Sequence, residues 1–318
     1  MPFEMAHYLV TGGAGFIGSN IVAHLVEEGE SVRVLDNLAT GYRENIEPWL
    51  DSVEFMEGDI RDPADCVRAV AGVDYVLHQA AIPSVPRSVA DPMLAHQANV
   101  AGTLNLLIAA RDAGVKRLVH AGSSAAYGDQ PGELKHEDMC PRPLSPYAAT
   151  KLACEHYLQA FSACYGLETI NLRYFNVFGP RQDPNSPYSA VIPLFIGALL
   201  EGKRPTVYGD GRQSRDFTYV ENNVRANVLA ATAPIEAKGQ VYNIACGLSY
   251  SLLDLLDGIK SALGSDIEPE FAAPRVGDIR DSKADISRAK ADLGYHVAVS
   301  LEEGLARTLA WYRRKETG

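Results

Sequence analysis

Short apolar runs alternate with longer stretches of helical period along the first half of the chain, the pattern of a parallel sheet wrapped by helices. The runs His7–Val10, Val32–Asp36, Val53–Met56, Tyr75–His78, Arg117–Ala121 and Thr169–Tyr174 read as strands. Phe16–Glu28, Asp91–Ala113 and Pro146–Tyr165 read as helices between them, and Leu301–Arg314 as an amphipathic packing helix at the end. After Phe178-Gly179-Pro180-Arg181 turn residues become dense (Pro184, Asn185, Ser186, Pro187), and the periodicity shortens. The expectation is an α/β protein: a Rossmann-type doubly wound parallel sheet over 1–176, with a smaller mixed α/β domain over 177–318. Some later segments are expected to return to the first domain.

The chain has 318 residues, 47% hydrophobic and 22% charged, ordinary for a soluble globular protein. Its formal charge of −11 argues against binding nucleic acid or an anionic membrane by charge alone. No apolar run approaches the ~18 residues of a membrane span, and the start lacks the pattern of a signal peptide. Five scattered cysteines show no metal-ligand or redox spacing, so they read as reduced thiols of a cytoplasmic protein with no metal site.

The first chemical signal is Thr11-Gly12-Gly13-Ala14-Gly15-Phe16-Ile17-Gly18, set between a strand and a helix. Gly12, Gly15 and Gly18 allow a tight turn, close approach to a pyrophosphate and close helix–strand packing, and the helix N-terminus favours the phosphates. A glycine triplet alone marks only a turn. Here the next strand ends in Asp36, about 20 residues beyond the loop, where a carboxylate accepts from both ribose hydroxyls. It would repel a 2′-phosphate, so NAD is expected rather than NADP. Asp59 is a candidate adenine neighbour, with a helix-capping acid before Pro63 as the alternative reading.

Tyr147 and Lys151 stand four apart behind Pro146, which suits a first helical turn, so they share one helix face. A lysine ammonium near a tyrosine, together with the positive nicotinamide ring, is expected to favour the phenolate and bring it toward the working range of a base. The run Gly122-Ser123-Ser124-Ala125-Ala126-Tyr127-Gly128, at a strand end, adds a hydroxyl able to bridge substrate and tyrosine.

These three motifs together resemble the extended short-chain dehydrogenase/reductase family over nearly the whole chain. The resemblance implies retained NAD and a Ser123, Tyr147, Lys151 centre, with Ser124 as the fallback hydroxyl. The expected cofactor contacts are Gly12, Gly15, Phe16, Ile17, Gly18, Asp36, Asn37, Asp59, Ile60, Ala80, Tyr147, Lys151 and Tyr174. Dehydratases of the family carry Asp-Glu after the Ser/Thr, and the decarboxylases a Glu in this loop. Here Ser124, Ala125 and Ala126 offer no carboxylate, which leaves oxidation to a 4-keto sugar, its rotation and reduction on the other face: a 4-epimerase.

Asn176–Pro193 and Gly209–Phe217 look most like bacterial UDP-N-acetylglucosamine 4-epimerases. Carried over by position, Asn176, Arg215 and Arg275 hold the diphosphate, with Gln182 in the same stretch, and Ala190 and Val191 line the uracil. Ser282 stands where epimerases restricted to UDP-glucose and UDP-galactose carry a tyrosine, so the 2-acetamido group of an N-acetylated UDP-sugar is expected to fit, with UDP-glucose and UDP-galactose as further expected substrates. Ser84 is a further candidate contact, although Pro83 replaces a lysine found in some relatives. Arg87 and Arg280 are the available partners for a uronate, which keeps UDP-glucuronate 4-epimerisation as the alternative. A non-catalytic NAD-binding sensor or scaffold is the distant alternative, and it usually lacks the Tyr or Lys. The resemblance also implies a homodimer formed by the helices within 91–113 and 146–165.

Overall fold

A computed structural model describes residues 5–130, 132, 134–183, 190–274 and 280–317, with side chains to 314. Its largest sheet has seven parallel strands. They are β1 (His7–Thr11), β2 (Ser31–Asp36), β3 (Glu54–Glu57), β4 (Tyr75–His78), β5 (Arg117–Ser123), β6 (Glu168–Tyr174) and β7 (Gln240–Ile244). Their order is β7-β6-β5-β4-β1-β2-β3. All six strands expected from the sequence are present, and the Rossmann-type architecture is the one anticipated. β7 is a later segment returning to the first domain, as expected, although its position was not: Gln240–Ile244 pairs in register with Ile170–Tyr174 and carries the sheet beyond β6.

The order reverses between β1 and β4, where parallel α/β sheets open a crevice at their carboxyl ends. Loops leaving β1, β2, β3 and β4 and the ends of β5 and β6 converge there. The central strands are buried on both faces (Leu9, Val10, Val76, Leu77, Leu118 and Val119 are fully covered), which fixes these ends rigidly.

Pro146–Tyr165 forms one helix, as its sequence predicts. Ser145 accepts the Ala148 N–H at its start, Pro146 sits in the first turn, and Gly166 at φ +71° ends it. The stretch expected as one helix over 91–113 is a continuous helix from Pro92 to Asp112 with a π turn inside it. Asp91 caps Pro92–Ala95, a π-helical turn follows over His96–Ala101, and Gly102–Asp112 completes it. Gly102 lies at that junction because a Cβ there would press within 2.6 Å of Ile60.

Outside the large sheet the chain builds small ones, mostly from segments beyond β6. Ser214–Arg215, Tyr250–Ser251, Asp281–Ala284 and Leu134–Lys135 form a four-stranded sheet, and Val177–Phe178 pairs with Thr218–Tyr219. No helix of the described residues is long and apolar enough to cross a membrane.

Candidate active site

The glycine loop is shaped for close approach of a ligand. Gly12 has φ +68°, and a Cβ there would lie 2.7 Å from the Ala80 backbone nitrogen; a Cβ on Gly18 would run into the Gly12 carbonyl. The helix Phe16–Glu27 starts at Gly15 with no side-chain cap, so its first N–H groups face the crevice. Asp36, 7% exposed, accepts from the Ala14 N–H at 2.9 Å and the Leu38 N–H at 2.8 Å. Burial pushes its carboxyl upward and those two bonds pull it back.

At the crevice's far end Asn37 donates to Asp59 at 2.8 Å and Arg61 forks onto the same carboxylate. The Arg61 bonds hold Asp59 down at about 2. The capping reading of Asp59 falls to Asp62, which accepts the Ala64 N–H at the start of Pro63–Val70.

All thirteen residues expected to touch the cofactor line one cleft of about 450 Å3, which also includes Gln79, Arg61 and Arg87. That volume lies in the range of small-molecule sites, ~300–1,000 Å3. Gln79 had no motif to reveal it. It accepts from the Tyr174 hydroxyl at 3.3 Å and donates to Asn227, which in turn donates to Tyr174 at 2.6 Å.

Tyr147 and Lys151 lie on one face of their helix, where that cleft meets a second one. The Tyr147 N–H donates to buried Ser88 at 2.9 Å, and Thr150 donates to the Tyr147 carbonyl. Lys151 is 5% exposed and donates to the Ala121 carbonyl at 2.8 Å. Burial lowers its ammonium to about 8. Among the protein's own groups, burial raises the Tyr147 phenol, and the opposing help comes from a hydrogen bond with Ser123. Lys151 spends a donor on a carbonyl, and desolvation penalises the phenolate more than the protein's own groups favour it. Ser123 also accepts the Ala125 N–H at 3.2 Å, which aims its hydroxyl; Ser124 borders the cleft.

The second cleft, about 560 Å3, brings together Ser123, Ser124, Tyr147, Tyr174, Asn176, Gln182, Ala190, Arg215 and Ser282. Asn176 holds φ +29°, a strained value for a residue with a side chain, and donates to the Asp216 carbonyl at 3.2 Å. Arg215 opposes Ser282 across paired strands. An apolar extension holds Ala190 and Val191 with Phe178, Phe195 and Leu252.

Ser84 does not join them. Its hydroxyl accepts the Arg87 N–H and caps a short helix, and it borders a different cleft with Thr40 and Asn45. Arg275 lies outside the described residues. Arg280 is exposed and pairs with Asp210 at 3.8 Å.

Asp216 carried no stated role in the sequence reading, yet it ties this side together. Fully buried, it accepts the N–H groups of Cys246, Gly247 and Ala284, and burial pushes its carboxyl up to about 6. The cradle of Gly12 and Gly18, the uncapped helix end and the Asp36 carboxylate fit a dinucleotide without a 2′-phosphate.

Comparison with known proteins agrees. The model of the NAD dependent epimerase/dehydratase family matches residues 8–245. A UDP-glucose 4-epimerase of Mycolicibacterium smegmatis is 41% identical over 96% of this chain and 98% of its own. The structure of a UDP-N-acetylglucosamine 4-epimerase from Methanobrevibacter ruminantium, in complex with UDP-N-acetylmuramic acid, superimposes with a TM-score of 0.94. It is 42% identical and covers 98% of this chain and 100% of its own. A mutant UDP-glucuronic acid 4-epimerase from Bacillus cereus, bound to NAD and a fluorinated UDP-glucuronic acid, is 32% identical with a TM-score of 0.90, over 97% and 99% of the two chains. The resemblance read from the three motifs is thus borne out, with NAD as the cofactor, and the chain belongs to the NAD dependent epimerase/dehydratase family.

Proposed function

We propose that the protein is a UDP-sugar 4-epimerase that keeps its NAD through turnover and interconverts UDP-N-acetylglucosamine and UDP-N-acetylgalactosamine. NAD held by the glycine loop and Asp36 supplies a hydride acceptor that can return what it takes. The rest falls to the chain's own residues. Tyr147 takes the proton of the C4 hydroxyl and later gives it back, with Ser123 hydrogen-bonded to both oxygens and Lys151 offsetting the phenolate charge. Arg215 and Asn176 hold the diphosphate, and Ala190 and Val191 face the uracil. The sugar is then free to turn about its link to the diphosphate.

The observation that carries the sugar assignment is Ser282, 9% exposed, forming cleft wall beside Arg215 with a side chain too small to exclude a 2-acetamido group. Ser124-Ala125-Ala126 adds no acid or base for expelling water, which supports epimerisation over dehydration. Purified protein incubated with UDP-N-acetylglucosamine and no added reductant should yield the C4 epimer by NMR. No inversion of it, with inversion of UDP-glucuronate alone, would overturn the assignment. The helices near Met93, Ile108, Tyr157 and Tyr165, all exposed apolar residues, are the face we assign to a homodimer. Sedimentation at the mass of one chain would refute it.

A further inference from the structure

Lys135 was not a candidate from the sequence, and the fold gives it an unusual place. It is 3% exposed, it forms wall in the cleft that holds Ser123, Tyr147, Arg215 and Ser282, and its ammonium donates to the carbonyls of Gln130 at 2.6 Å and Gly132 at 3.0 Å. An ammonium has three N–H donors, so one is left over. No carboxylate among the described residues pairs with it within 4.0 Å. Burying a charge without a counter-charge is costly, and proteins tolerate it where a ligand completes the pair.

The strand order says which part of a ligand it meets. In the small sheet Arg215 opposes Ser282, and Lys135 opposes Ala284 on the next strand. Ser282 and Ala284 are both buried, on the same face of their strand. Along that face Arg215 lies beside Ser282 and Lys135 beside Ala284, two strand spacings across and two residues along, so Lys135 is about 12 Å from Arg215. A nucleotide sugar with its diphosphate at Arg215 and its ring against Ser282 would point its far substituents at Lys135. The backbone of Lys135 is anchored independently, its carbonyl accepting from Asn243 and from the Asp285 N–H, so the strand does not need the side chain to stay in place.

We infer that Lys135 is a specificity-determining residue that pairs with a carboxylate on the sugar, so that the site takes UDP-2-acetamido-hexuronates beside the neutral UDP-N-acetylhexosamines and binds the acid more tightly: small Ser282 admits the acetamido group of either and Lys135 holds the acid. This rests on the epimerase reading only for placing the sugar, and a binding experiment tests it separately from turnover.

Tyr147→Phe holoenzyme would be titrated by calorimetry with UDP-N-acetylglucosamine, with the same sugar oxidised to the carboxylate at C6, and with UDP alone. The acid should bind roughly 10- to 100-fold more tightly than the neutral sugar, the scale of one charge-assisted bond. Adding Lys135→Met should erase that preference while UDP binds as before, and Lys135→Arg should keep part of it. Equal affinity of the acid and the neutral sugar for the parent protein overturns the inference with no variant at all. So does a Lys135→Met variant that weakens UDP and both sugars alike, which would make Lys135 a phosphate ligand or a staple of the Gln130 and Gly132 carbonyls. Failure of the wild type to invert either sugar would count instead against the epimerase reading.

Discussion

The two clefts share Tyr147 and Tyr174, but they are built in opposite ways. The cofactor side is a set of short segments, each following its own sheet strand, and its decisive features are backbone shapes: positive φ at Gly12, an uncapped helix end, and an acid locked by two N–H groups. The sugar side is built from two- to four-residue strands whose partners lie far away in sequence, with Arg215 against Ser282 and Lys135 against Ala284. A rigid scaffold fixes the chemistry, and a collection of long-range pairings fixes which sugar meets it. Substitutions on the two sides should therefore fail differently.

The largest effect is expected where the sides meet. Tyr147→Phe should lower kcat roughly 10^2- to 10^4-fold, the usual scale of lost proton transfer, with NAD still bound by absorbance. Unchanged turnover would remove Tyr147 as the base. On the cofactor side, Gly18→Ala forces a Cβ into the Gly12 carbonyl, and the purified protein should lose its NAD altogether. Retained cofactor would mean that the loop is not the pyrophosphate cradle.

On the sugar side, Ser282→Tyr should cut kcat/KM for UDP-N-acetylglucosamine roughly 10-fold or more, by steric exclusion, while UDP-glucose turnover stays within about twofold. Equal losses on both would mean that the wall is not at the acetamido group.

The smallest effect is in pH dependence. Lys151 is depressed by burial to about 8, and its ammonium is the form that offsets the phenolate. As pH rises through 8 that proton leaves, so kcat/KM should decline on the alkaline side, and Lys151→Met should show a low rate without that limb. A wild-type profile flat to pH 9 would contradict the arrangement.

The same contrast explains what the sequence could reveal. The glycine loop, Asp36 and the Tyr147/Lys151 pair are legible because a strand, a turn or one helical repeat fixes their geometry within a few residues. Ser282 and Arg215 were reached through resemblance, since nothing local says that their strands pair. Lys135 and Asp216 were given no role, because a two-residue strand leaves no periodicity and a buried carboxylate looks like any other acid. Ser84 was expected among the substrate contacts; its hydroxyl serves as a helix cap at a neighbouring cleft, which no motif signals. The π turn at His96–Ala101 was hidden because one extra residue in a turn hardly disturbs an apolar pattern. The position of β7 was missed because Gln240–Ile244 is a short strand isolated from the βα alternation that exposes the others.

The central claim is a C4 inversion that returns its hydride. The direct measurement is NMR of freshly purified protein with UDP-N-acetylglucosamine carrying deuterium at C4, with no nucleotide added. The account predicts formation of the C4 epimer with deuterium retained at C4, the label having returned to its own carbon. A product that loses the label to solvent, or no product until NADP or a reductant is supplied, would contradict it.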